Sequence, residues 1–148
     1  MKGLVCSVCG FISLDGDIEG GCPVCHSKKE AFKEVADAIV TPSAASDKIE
    51  ANKKHIPVIK ITKACGLIPE SGCTDVNIKV GEITHPMLKE HFIMYVDTYI
   101  DKHYISRVFF SPEKMNPAVG LHLKVSTGTF QAIEKCNVHG AWMTETKI

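Results

Sequence analysis

The stretch Val119-Gly120-Leu121-His122-Leu123-Lys124-Val125 alternates apolar side chains with polar or small ones. A period of two is typical of a β-strand with one buried face, because successive side chains point to opposite faces. Residues 76–80 alternate in the same way, and residues 92–99 and 104–110 are rich in β-branched and aromatic residues. Clusters of Gly, Pro and Asn separate these runs. Short strands with such turns predict a mainly β fold, a β-sandwich over residues 48–148.

The N-terminal residues 1–38 differ in character from this sandwich. They hold four of the seven cysteines and few large apolar residues. Three apolar residues at helical spacing predict a short helix between Lys28 and Ile39. The segment that follows is small and polar and contains a proline, which is typical of a linker. We therefore expect a metal module over residues 1–38, a linker over residues 39–47 and the sandwich after it.

Composition excludes several classes of partner. The chain has 148 residues, with 17 basic and 17 acidic side chains and no formal net charge. This balance gives no reason to expect nucleic acid or an anionic membrane as a partner. No apolar stretch approaches the roughly 20 residues that span a bilayer, and the first residues leave no room for a signal core. We expect a cytoplasmic protein, in which seven clustered cysteines indicate metal rather than disulfides.

The four N-terminal cysteines follow the pattern C-x2-C-x12-C-x2-C. They are Cys6, Cys9, Cys22 and Cys25. Two such pairs let four thiolates surround one ion tetrahedrally, and Gly10 allows a close backbone approach or a positive φ. A module this small lacks an apolar core of its own, so a metal would supply stability. The alternative is four free cysteines or two disulfides, and a tetrathiolate accepts either iron or zinc.

This module resembles the rubredoxin-like domain that ends rubrerythrins. The shared features are CxxCG, a short glycine-rich loop, CPxC and a lysine-rich stretch that here runs from Lys28 to Phe32. The resemblance covers residues 2–34 and implies a rubredoxin-like fold with a metal knuckle. His26 is a departure, since a glycine or alanine usually follows the second cysteine pair.

A second set of metal-binding side chains lies in three short motifs. The candidates are His55, His85, His91, Cys136 and His139. Pro86 prevents a helical pairing of the second and third histidines, so we expect them to enter the site from a loop and a strand start. Four imidazoles and one thiolate exceed the four ligands of structural zinc and suit iron with one open position.

These motifs together resemble the superoxide reductases (neelaredoxin and the C-terminal domain of desulfoferrodoxin). KHxPV, HPMxxxHFI and CNxHGxW occur in that order over residues 50–145. The resemblance implies a seven-stranded immunoglobulin-like sandwich and a mononuclear non-haem iron with four equatorial histidines and axial Cys136. It implies one-electron reduction of superoxide to hydrogen peroxide, with Lys54 as the catalytic residue that attracts the substrate. It also implies an external electron donor such as rubredoxin, and a homo-oligomer, a dimer or a tetramer. The tetrathiolate centre would act as an electron relay or as a docking module.

Two departures from the family stand out. Lys53 occupies the position where many members have the glutamate that binds the resting oxidised iron. An insertion between the first two histidines carries Cys65 and Cys73, which could be a redox pair or an extra metal site. We favour two reduced cysteines in a surface loop. We interpret His26, His103 and His122 as isolated histidines, the last on the solvent face of a strand.

Two other classes of function remain open at this point. One is a metal-binding adaptor, in which a zinc ribbon recognises a partner and the sandwich is degenerate. The other is an electron-transfer protein in which the open position is incidental. The complete set of five candidate ligands favours the enzyme.

Overall fold

The computed structural model describes residues 1–42 and 49–148, and nearly all of its regular structure is β. The strands are, in chain order, β1 Gly3–Cys6, β2 Ile12–Ser13, β3 Phe32–Val35, β4 Pro57–Thr62, β5 Thr74–Val80, β6 Ile93–Ile100, β7 His103–Phe109, β8 Ala118–Leu123, β9 Thr129–Cys136 and β10 Gly140–Lys147. One α-helix, α1, spans Ile49–His55, and short 3-10 turns span Lys29–Ala31 and Pro69–Ser71.

Seven of these strands form the sandwich, which confirms the predicted fold class. One sheet has the order β10-β9-β6-β7 and the other the order β4-β5-β8, and every described pair is antiparallel. Val76, Ile78 and Val80 of β5 face the core, as their alternation predicts. From the other sheet, residues such as Val96 and Phe130 complete that core.

Strands β6 and β9 are buried on both faces, which is why neither shows a clean alternation. Their second face packs against the N-terminal module. Tyr99 and Ile133 share a second apolar core with Phe11 and Ile12. The Phe11 and Tyr99 rings stack with their centroids 6.1 Å apart. The module therefore covers the outer face of the larger sheet.

The N-terminal module is a three-stranded sheet of order β2-β1-β3. The predicted helix between Lys28 and Ile39 is wrong, because that segment forms a 3-10 turn and then β3. One of the apolar residues, Phe32, packs edge-on against Phe11. Strand β3 pairs with β1 and completes the sheet.

Polar contacts hold the module to the sandwich. The hydroxyl of Tyr99 donates to the carbonyl of Ile12 at 2.8 Å, and that of Tyr95 donates to the carbonyl of Gly10 at 3.1 Å. Arg107 donates to the carbonyl of Cys9 at 2.8 Å while it forms a bidentate ion pair with Asp97. Both side chains of that pair are almost fully buried, at 2% and 1% exposure.

The division into residues 1–38, 39–47 and 48–148 stays a prediction. Residues 43–48, which include most of the expected linker, lie outside the described residues. Ile39 itself is buried, and the next residue, Val40, donates a backbone hydrogen bond to Ala141. Within the described part of the chain, no helix has both the length and the apolar character needed to cross a membrane.

Candidate metal centres

The structure brings the five predicted ligands of the second site together. Their ligand atoms lie within 4.8 Å of one another. His55 is the last residue of α1, His85 and His91 lie in the segment between β5 and β6, Cys136 ends β9, and His139 lies in the turn before β10. The histidine at the predicted strand start, His91, stands two residues before β6.

The four imidazoles are arranged as a square. Neighbouring ring centroids around the cycle His55, His85, His91 and His139 are 4.5–4.8 Å apart, whereas the diagonal from His55 to His91 is 6.3 Å. The facing nitrogens along three edges are 3.1–3.2 Å apart. The centre of such a square lies about 2.2 Å from each corner, close to a metal–imidazole bond length. A tetrahedral set would make all separations equal, so the square suits a metal with more than four ligands.

Backbone carbonyls orient two of the imidazoles. Nδ1 of His55 donates to the carbonyl of Ala51 at 2.7 Å, and Nδ1 of His85 donates to the carbonyl of Pro86 at 2.7 Å. Each bond leaves Nε2 without a proton and aimed at the centre, as is usual for metal-binding histidines. His91 also faces the centre with Nε2, whereas His139 does so with Nδ1.

Burial favours the neutral form of three of the four imidazoles. It lowers the pKa of His85 to about 4 and also lowers the pKa values of His55 and His91. A neutral imidazole offers its lone pair to a metal at neutral pH, whereas a protonated one cannot.

The Cys136 thiol lies against this square and is fully buried, with Sγ 3.6 Å from Nδ1 of His139. The backbone N–H of Val138 donates to its sulfur at 3.4 Å. Burial raises the pKa of this thiol, so a bound cation is needed to hold it as a thiolate. His139 is exposed and His91 is half-buried, so the site reaches the surface.

Asn137 connects two of the ligand-bearing segments, a role that the sequence analysis missed. Its side-chain oxygen accepts from the backbone N–H of Phe92 at 2.9 Å, and its amide donates to the carbonyl of Glu90 at 2.9 Å. These bonds clamp the residues on both sides of His91. The sequence feature that could have indicated this role is the position of Asn137 inside the CNxHG motif.

Lys54 belongs to α1, a short helix that was not predicted from the sequence. Its ammonium forms an ion pair with Glu50, one helical turn earlier, at 2.5 Å. The Lys54 charge contributes to the lowered pKa values of His55 and His91, which places it near the square. Glu50 was missed, although its spacing of four residues from Lys54 is the usual one for a helical ion pair.

Trp142 packs over His55. The two rings stack with centroids 5.0 Å apart and planes 18° apart, and the indole N–H donates to the carbonyl of His139 at 3.1 Å. The indole therefore supports two of the imidazoles and shields one of them from water.

The four N-terminal cysteines also converge. Sγ of Cys6 lies 3.7 Å from that of Cys25, and Sγ of Cys9 lies 3.5 Å from that of Cys22. Tetrahedral coordination with metal–sulfur bonds of about 2.3 Å predicts sulfur separations near 3.75 Å, so the set fits one ion.

Short turns support this tetrathiolate geometry. Backbone N–H groups of Val8 and Val24 hydrogen-bond to the sulfurs of Cys6 and Cys22, as expected for two metal knuckles. The hydroxyl of Ser27 lies 3.0 Å from the Cys25 sulfur, and hydrogen bonds from Ser27 lower the pKa of that thiol to about 6.

Positive backbone angles occur in both knuckles. Gly10 has φ +74°, and a Cβ there would lie 2.7 Å from the Tyr95 hydroxyl, so the expectation for this glycine is confirmed. His26 has φ +59°, a conformation that glycine adopts more readily. The backbone at this position therefore suits a glycine better than the histidine found here.

The structure agrees with the expectation that Cys65 and Cys73 are reduced cysteines in a surface loop, although their side chains are buried. Both thiols are free, as are all seven in the chain, but they are 8% and 6% exposed. They lie against His122 and Asp75, and these four side chains form a third group of converging ligand atoms. His122 does lie on the outer face of its strand, but it is not isolated. His103 pairs at the surface with Asp15 at 3.0 Å.

Comparisons with known proteins agree with the fold and the second site. The family model for desulfoferrodoxin matches residues 47–145. A desulfoferrodoxin of Desulfarculus baarsii is 30% identical over 143 residues, which cover 95% of this chain and 92% of that protein. A putative superoxide reductase of Methanocaldococcus jannaschii is 33% identical over 101 residues, 65% of this chain and 83% of that one. Among solved structures, a superoxide reductase (neelaredoxin) from Ignicoccus hospitalis is similar at a TM-score of 0.61 with 27% identity, covering 78% of this chain and 98% of that one.

Proposed function

The chain belongs to the desulfoferrodoxin family, and from this premise we propose that it is a superoxide reductase. The reaction consumes one superoxide, one electron and two protons and yields one hydrogen peroxide. The observation that carries the proposal is the square of four imidazoles beside a buried thiol, at the surface of the sandwich.

The donor set fits iron. His55, His85 and His91 would bind it through Nε2, His139 through Nδ1, and Cys136 through Sγ. Zinc prefers four ligands in a tetrahedron, whereas iron accepts five and a further one from solution. Iron(II) bound here would supply the electron that superoxide takes up.

The side chains around the square bind the anion and keep the ligands in place. The Lys54 ammonium is a half-exposed positive charge beside the site, so it attracts superoxide and can donate a hydrogen bond from Nζ. Glu50 orients that ammonium and reduces its net field. Asn137 holds the His91 segment, and Trp142 keeps water from one face of His55.

The tetrathiolate centre supports a relay or docking role. Its backbone is joined to the sandwich through the hydrogen bond from Tyr95 to Gly10. Tyr95 lies on β6 opposite Lys135 of β9, and Lys135 precedes Cys136. A path of covalent and hydrogen bonds through Tyr95 and β9 thus connects the two centres. Only iron at the first centre would make this path useful for electrons, since zinc has no redox chemistry.

Metal analysis with a visible spectrum distinguishes the two roles of the first centre. Two iron ions per chain, with tetrathiolate absorption that bleaches when reductant is added, would indicate a relay. Zinc at the first centre would leave docking of a donor such as rubredoxin as its role.

The proposal also includes the cell compartment and the oligomeric state of the enzyme. Seven free thiols are in keeping with the reducing cytoplasm. By family resemblance we propose a homo-oligomer, which light scattering of the full chain would test.

The direct test mixes chemically reduced, iron-loaded protein with superoxide and follows its disappearance. His85→Asn should lose iron and the fast reaction, because one corner of the square is missing. His103→Asn is the matched control, since His103 is exposed and pairs only with Asp15 among the described side chains. Fast consumption of superoxide by an iron-free His85→Asn protein would contradict the proposed site.

A further inference from the structure

We propose that Cys65, Cys73, Asp75 and His122 form a third metal site, which binds zinc and closes the long loop between β4 and β5. The site is separate from both centres described above and goes beyond the reduction of superoxide.

The sheet itself supplies two of the four ligands, and a third, Cys73, immediately precedes β5. Asp75 of β5 lies directly opposite His122 of β8, so both side chains stand on the same outer face. Cys73 lies two residues before Asp75, which puts it on that face as well. Cys65 comes from the loop and reaches the same point. Rigid strands thus hold two of the ligands in place before any metal binds, and Cys73 is attached directly to one of these strands.

The distances are close to those of tetrahedral zinc. Nδ1 of His122 lies 3.3 Å from the sulfur of Cys65 and 3.6 Å from that of Cys73. The sulfur of Cys73 lies 3.7 Å from Oδ1 of Asp75. Metal–ligand bonds of about 2.0–2.3 Å predict separations near 3.5 Å between such atoms. The pair Asp75–His122 is closer, at 2.8 Å, and would separate by about half an ångström on binding.

The loop between β4 and β5 is arranged as expected for a loop that carries a metal ligand. The backbone N–H of Ile68 donates to the Cys65 sulfur at 3.3 Å, the kind of bond that favours a thiolate. The two cysteines point inward, whereas Leu67 is 72% exposed. Hairpin loops usually have two to five residues, and this connection, from the end of β4 at Thr62 to the start of β5 at Thr74, is much longer. Because the loop exposes Leu67, a metal holds it in place better than apolar packing would.

Zinc suits this donor set. Two sulfurs, one imidazole and one carboxylate make a closed set of four, as in structural zinc sites. The site lies at the far end of β4 from His55, and a strand of that length spans about 20 Å. Its role is therefore to hold the loop, apart from the redox chemistry.

Elemental analysis of the full chain, purified under reducing conditions, tests the site. The wild type should carry three metal ions per chain, one for each group of converging ligands. The variant Cys65→Ser/Cys73→Ser should carry one zinc fewer and keep its iron. Cobalt(II) exchanged into both proteins provides a second readout, because sulfur-to-cobalt absorption from this site should be present in the wild type and absent from the variant.

A single substitution covers the case in which the double variant does not fold. His122→Asn changes a half-exposed side chain and should lose zinc to a chelator more readily, by at least about tenfold, since even a supporting hydrogen bond contributes that much to affinity. His103→Asn is the matched control and should retain the zinc of the wild type. Equal zinc content and equal cobalt spectra in the wild type and both site variants would overturn the proposal. A Cys65–Cys73 disulfide in protein purified under reducing conditions, seen as the loss of two hydrogens by mass spectrometry, would overturn it as well.

Discussion

Replacement of Arg107 by methionine should loosen the N-terminal module from the sandwich. Arg107 links the N-terminal module to the sandwich, because it pairs with Asp97 on β6 and donates to the carbonyl of Cys9 in the first knuckle. Its guanidinium also lies 3.6 Å from the centre of the Tyr95 ring. Methionine keeps much of the volume but leaves Asp97 without its partner.

The structure sets the size of the effect. Arg107 and Asp97 are 2% and 1% exposed, so this is a buried pair, for which the loss of one partner costs about 3–5 kcal/mol. In a chain of this length that corresponds to a fall in Tm of about 6–20 °C. An exposed ion pair would cost less than about 1 kcal/mol.

The cost should depend on pH. Burial raises the pKa of Asp97 and the Arg107 charge lowers it, so removal of the charge raises the pKa further. A carboxyl with a higher pKa in the folded than in the unfolded chain favours folding at low pH, and this contribution is lost as pH rises through the folded pKa. The deficit of the variant should therefore be smallest near the unfolded pKa of about 3.9 and grow toward neutrality.

The assay is thermal unfolding of the metal-loaded full chain at several pH values, with the absorption of the tetrathiolate centre as a second signal. The control is Asp97→Leu/Arg107→Met, which removes both charges and should recover much of the loss. A decrease in Tm of less than about 3 °C at neutral pH would refute the buried pair as the link between the modules. A loss of stability that becomes larger as pH falls would refute it as well.

Three further outcomes are expected. Cys136→Ser should abolish the fast reaction with superoxide, since the only thiolate of the set is lost; near-normal rates in a folded, iron-loaded variant would contradict its role as ligand. Lys54→Ala should slow that reaction by roughly threefold to thirtyfold at low ionic strength and less at 0.1 M salt, where screening acts over about 10 Å. Lys53→Ala is the control for this variant. In kinetics with pulse-generated superoxide, equal rates and an equal dependence of the rate on salt for Lys54→Ala and wild type would exclude steering by Lys54. Glu134→Gln should stabilise the protein at neutral pH, because burial raises the pKa of Glu134 well above its usual value. The wild type therefore loses stability as pH rises toward that pKa, whereas the variant, with its neutral amide, keeps its stability. A melting profile across pH checks this, and a lower Tm for Glu134→Gln at pH 8 would contradict it.

Local pattern and spacing predicted much of the fold. The alternation in β5 and β8 has a physical cause, since each strand has one face in the core and one in solvent. The cysteine spacing of the first module also has a local cause, because each knuckle is formed by neighbouring residues. These features are visible in the sequence because the forces that produce them act over a few residues.

Features that depend on distant contacts could not be predicted. Strand β9 shows no alternation, because the N-terminal module buries its second face. The segment between Lys28 and Ile39 has helical spacing, but pairing with β1 makes part of it a strand. The third metal site depends on the register that places Asp75 opposite His122, and no spacing along the chain reveals that register.

The helix that carries Lys54 was missed for another reason. It has seven residues, with an ion pair between Glu50 and Lys54, and such short helices are stabilised mainly by tertiary contacts. The role of its last residue, His55, was apparent from the motif, whereas the path of the backbone before it was not.

The stoichiometry of the products is the most direct test of a superoxide reductase. Chemically reduced, iron-loaded full chain is mixed with a measured amount of superoxide, and hydrogen peroxide and dioxygen are quantified together. Reduction predicts one hydrogen peroxide for each superoxide, one electron lost by the protein for each, and no dioxygen from the reaction. One hydrogen peroxide and one dioxygen for every two superoxides, with the protein still reduced, would mean dismutation and would contradict the proposed function.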